Sequence, residues 1–80
     1  MRLRQDRIAR AMRLLTETFG SPTNQQRGFA SVDLAAMSAA TFLAPHMFLK
    51  FRTAEGLVRQ WYEAEAARRQ STGEEGATEK

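Results

Sequence analysis

The chain has 80 residues, 42% of them hydrophobic and 26% charged, with no cysteine and a formal net charge of +3. That length suits one domain with a small core, and that balance suits a folded chain rather than a disordered one. Without cysteine there is no disulfide framework, no thiolate metal site and no cysteine nucleophile.

The charge is uneven. Residues 1–70 hold eleven basic side chains against six acidic ones, whereas residues 71–80 hold three acidic and one basic. A body carrying +5 attracts polyanions at long range. No stretch approaches the roughly 20 apolar residues of a membrane span, so no membrane partner is expected. The basic start Met1-Arg2-Leu3-Arg4 is not followed by the apolar segment of a secretory signal, and a cytoplasmic location is expected. High alanine and arginine with few lysines point to a GC-rich bacterial, plasmid or phage source.

The first predicted helix covers residues 3–19. Ile8, Ala11, Met12, Leu15 and Phe19 recur at spacings of three and four and stack on one face, with Arg7, Arg10 and Arg13 on the other side. Gly20 suits the position just past the helix, and Ser21-Pro22 ends it. Residues 20–28 are polar and rich in breakers, which predicts a loop.

Ser31 is a good N-cap for a second, short helix, with Asp33 in its first turn. Residues 37–44 read as a small, apolar turn region. Pro45 suits the first position of a third short helix through Phe51, in which Phe48 and Phe51 are expected in the core. Thr53 caps a fourth helix to about Arg69, lined by Leu57, Val58 and Trp61. Residues 1–70 thus form one all-α domain of four helices, long-short-short-long, and residues 71–80 an acidic, disordered tail.

A brief turn between two short helices, flanked by longer ones, is the layout of a helix-turn-helix DNA-binding domain. Three segments strengthen that reading: Ile8-Ala9-Arg10-Ala11-Met12-Arg13-Leu14-Leu15 with Gly20; Val32-Asp33-Leu34-Ala35; and Phe48-Leu49-Lys50-Phe51-Arg52-Thr53-Ala54-Glu55-Gly56-Leu57-Val58. In order and spacing they resemble the N-terminal DNA-binding domain of TetR-type transcriptional regulators, over residues 7–58. Ala54 stands where that family usually has a phosphate-reaching lysine, the loops are longer, and nothing here implies a ligand-binding domain or an inducer.

The resulting expectation is a DNA-binding protein, a small transcriptional regulator with helix 45–51 in the major groove of double-stranded DNA. His46, Leu49 and Lys50 are its outward candidates, Arg52 a backbone clamp, and Thr41 and Thr53 phosphate hydrogen-bonders. Arg7, Arg10 and Arg13 read either as a solvated face or as non-specific phosphate contacts. A homodimer is expected if DNA is the ligand, through Trp61, Tyr62 and Ala66 of the fourth helix.

The alternative is a small helical protein-interaction module, a phage or plasmid inhibitor, adaptor or assembly subunit, with no DNA binding. Catalysis, a cofactor and a metal are not expected. There is a single histidine, no phosphate-binding loop, and Glu63 and Glu65 point about 200° apart on a helix.

Overall fold

The computed structural model describes the backbone of residues 4–79 and the side chains of residues 4–70. Among the described residues there is no strand; four helices follow in order, α1 (Gln5–Phe19), α2 (Pro22–Gln26), α3 (Val32–Met47) and α4 (Phe51–Glu79). The all-α class and the four helices match expectation. The tail expected over residues 71–80 lies outside the residues whose side chains are described.

α1 forms for the reasons its periodicity implies. Ala11 and Leu15 are fully buried, with Ile8, Met12 and Phe19 packed beside them. Gly20 ends the helix at φ +89°, its N–H donating to Thr16 O, a conformation that L side chains rarely adopt.

The segment 20–28 is not the plain loop expected. Ser21-Pro22 ends α1 and also begins α2: the Ser21 hydroxyl accepts from the Asn24 N–H (3.0 Å), and Pro22 occupies the first helical position. Asn24 then donates from Nδ2 to Phe19 O (2.8 Å), satisfying a carbonyl left open at the end of α1.

The main correction concerns residues 31–51. Ser31 caps as expected, accepting from Leu34 N–H (3.2 Å), but the helix it starts runs unbroken for 16 residues. There is no turn over 37–44 and no helix 45–51; the layout long-short-short-long becomes long-short-long-long. The cause is a continuous apolar stripe. Ala36, Ala40, Leu43 and Met47, at spacings of four, three and four, are all buried against α1 and α4. Pro45 falls in the last turn on the exposed side, so the Thr41 carbonyl that its missing N–H leaves free belongs to an exposed residue.

Ala35, Ala36, Ala39 and Ala40 are each fully buried, and these short side chains let α3 lie close to its neighbours. α3 packs most extensively on α4. The chain turns by 117° between them, and α4 begins at Phe51, two residues before the expected cap Thr53, with Ala54 N–H donating to Lys50 O (3.0 Å). Leu15, Leu43, Val58 and Trp61 supply the bulk of the core between α1, α3 and α4.

Candidate functional site

The residues expected to read DNA do not form one presented helix. Thr41 lies midway along α3, its hydroxyl donating to Met37 O one turn back (2.8 Å). His46 is in the last turn of α3, its Nδ1 paired with Phe42 O (3.0 Å) and its ring 4.3 Å from the Phe42 ring. Leu49 is half-buried against the core and Lys50 is exposed, both in the connection to α4. Arg52 is exposed and Thr53 half-buried in the first turn of α4. Only the exposed cations among them keep the freedom a phosphate contact requires.

Phe48 is the second correction. Expected in the core, it is 93% exposed, and Phe51 is exposed as well. Phe48 ends α3 in the left-handed conformation (φ 55°, ψ 48°), while Leu49 N–H closes back onto Ala44 O (2.9 Å). Glycine usually serves this cap, and a side chain there costs about 1–2 kcal/mol. A large apolar residue in a costly conformation and bare to solvent stabilises nothing within the chain, and such outliers gather at functional positions.

The outer side of α3 extends the same surface. Leu34 is 50% exposed and Met37 47%, with Ser38, Thr41 and Pro45 exposed beside them. None of these five side chains is ionisable, in a chain where about a quarter of residues are charged. Phe29 and Val32 add exposed apolar area near the start of the helix.

The fourth helix offers less than expected. Trp61 is 5% exposed, its indole N–H donating to Thr16 Oγ1 (3.1 Å) and its ring 6.2 Å from Phe19. Tyr62 is half-buried and donates to Gln25 Oε1 (2.5 Å). Both are engaged inside the chain, which leaves Ala66 alone exposed of the three residues named for a dimer face. The reason is that α1 and α2 cover this side of α4.

Gln25 itself, 5% exposed, donates from Nε2 to Ala35 O (2.9 Å) and so ties α2 to α3 as well as α4. No sequence signal marks it beyond its place after Ser21-Pro22. Burial pushes the Tyr62 hydroxyl above its ordinary value, with Arg59 pulling the other way. The folded state therefore holds this proton more tightly than the unfolded chain. That contribution to stability is whole below about pH 10 and is lost as pH rises through the folded value. The single tyrosine is expected to ionise at higher pH in native protein than in urea, read as phenolate absorbance at 295 nm; coincident curves would show that Tyr62 is not sheltered.

Arg10, Arg13, Leu14, Glu17, His46 and Met47 line an open groove of about 300 Å³ between α1 and the end of α3. Arg7 lies at the same end, donating to Met47 O (2.9 Å). Asp33, at the start of α3, pairs with Arg59 (3.0 Å), which also reaches Glu55 (3.3 Å); hydrogen bonds to Asp33 and then Glu55 hold that guanidinium above its ordinary value.

Among the described residues no group of three or more His, Asp or Glu is placed to hold a metal ion. No single helix there is long and apolar enough to cross a membrane. Comparison with protein-family models, curated proteins and solved structures gives no match, so function is argued from the chain's own chemistry.

Proposed function

We propose that this chain is a protein-interaction module that meets its partner with the uncharged outer face of α3 and with Phe48. The observation that carries the reading is Phe48, 93% exposed in a left-handed cap that costs stability. An apolar anchor beside a row of neutral side chains is the composition of an interface centre, from which charged residues are depleted. The helical segment that the DNA reading needed is instead the end of α3, a turn and the start of α4.

Phe48→Gly separates binding from folding. Glycine relieves the left-handed cap at some cost in unfolded-chain entropy, and almost no buried area is lost. The variant is expected to gain about 1 kcal/mol in urea unfolding. It is also expected to lose its partner. A photo-crosslinking phenylalanine analogue at position 48 should give a discrete protein adduct in cells that express the chain. The same analogue at Gln60, on the exposed side of α4, should give none. No adduct from position 48 sinks the reading.

One observation favours DNA as a second reading: exposed Arg10 and Arg13 share a groove with His46 on a body of net positive charge. Contacts there would be to phosphate rather than to base edges. On this reading a labelled random duplex binds with steep salt dependence, and Arg10→Ala/Arg13→Ala weakens it while Phe48→Gly does not.

A further inference from the structure

The exposed positions on α3 have an internal symmetry. Met37 and Pro45 lie four residues before and after Thr41, and Leu34 and Phe48 seven before and after; all five are exposed. On a helix, offsets of four and seven return to the same side, so the first four residues form one row and Phe48 closes its end. The row reads alike from either end.

We infer that the partner on this face is a second copy of the chain, packed antiparallel with a two-fold axis at Thr41. The inference rests on the reading of α3 as a protein-binding surface. A two-fold contact is self-complementary, each residue meeting its mirror position. This register sets Leu34 against Phe48 of the second copy, Met37 against Pro45, and Thr41 against itself. One arrangement thereby covers Leu34, Met37 and Phe48, three of the six large apolar side chains exposed among the described residues.

Charge favours the same arrangement. Two bodies of +5 repel, and they approach at least cost through a face without ionisable groups. Antiparallel pairing also opposes the two helix dipoles. Ser38 and Thr41, at the centre, are short enough for close approach. A 16-residue helix is about 24 Å long, which gives an interface smaller than the standard size, in the range of weak and transient contacts.

The chain has no cysteine, so Thr41→Cys introduces a single thiol. Axes 8–10 Å apart leave the two Cα atoms at the crossing about 4–5 Å apart, within disulfide reach. Mild oxidation is expected to link Thr41→Cys into a dimer at least about 10-fold faster than Gln60→Cys, in line with effective concentration at a pre-formed contact. In sedimentation equilibrium the wild-type mass should climb from 9.0 kDa toward twice that with concentration. Met37→Arg, which sets like charges near the crossing, should hold it at 9.0 kDa with an unchanged helical spectrum.

A wild type that stays at 9.0 kDa up to millimolar concentration, or Thr41→Cys linking no faster than Gln60→Cys, overturns the dimer. The two readings fail separately. A position-48 adduct to a different protein, with the purified chain monomeric, removes the second copy and keeps the interaction module. No adduct together with a monomer removes both.

Discussion

Trp61→Ala is expected to cost about 3–5 kcal/mol and to leave much of the protein unfolded at room temperature. A chain of 80 residues has roughly 4–12 kcal/mol of stability, and the small core favours the low end. Trp61 is 5% exposed and stands where α4 meets α1: its ring lies against Phe19 and its N–H is held by Thr16 Oγ1. Removing it opens a cavity that the surrounding helices fill only in part. It also strips Thr16 of its donor, a smaller loss because that hydroxyl belongs to an exposed residue. Trp61→Phe keeps an aromatic ring in the site and should cost much less, about 1–2 kcal/mol. Urea unfolding followed by the helical signal at 222 nm reads both. If Trp61→Ala unfolds at the wild-type urea midpoint, α4 is not anchored through this side chain.

The second large effect lies on α3. Leu43→Ala is expected to cost about 2–5 kcal/mol, whereas Leu34→Ala, the same change on the same helix, should cost under about 1 kcal/mol. Leu43 is fully buried on the stripe with Ala36, Ala40 and Met47, and Leu34 is half exposed on the opposite side. The pair tests the unbroken helix directly. Were residues 37–44 a turn, Leu43 would not be locked onto the face that begins at Ala35, and the contrast between the two leucines would shrink. Leu34→Ala has a further use, since it removes one of the two apolar contacts at each end of the proposed dimer without disturbing the core.

Several local signals were legible in the sequence. The apolar row of α1, Gly20 at its end and Ser31 as a helix cap are legible there, because each depends on neighbours within a turn or two. The site was less legible. The sequence points to Thr41, His46, Leu49, Lys50, Arg52 and Thr53 as a DNA-reading set around a helix 45–51 that does not form, and to Phe48, the most exposed large apolar residue among the described ones, as a core side chain. Gln25 carries no signal beyond its place after Ser21-Pro22, since its role is to tie α2 to α3 and to the distant α4.

Composition and periodicity determined that this protein is helical, that α1 has one buried face, and that its charge sits on the folded body. Tertiary structure alone decided the path of residues 31–51. Pro45 is a local breaker whose cost is a few kcal/mol, set against burial of a stripe from Ala36 to Met47 on two other helices. The same competition decided which aromatics are inside. Trp61 is covered because α1 returns over α4, and Phe48 is bare because α3 ends there in a left-handed cap and it is Leu49, one residue on, that packs against the core. Burial sums contributions from residues far apart in the chain, so it overrides a local preference that no window of sequence can weigh against it.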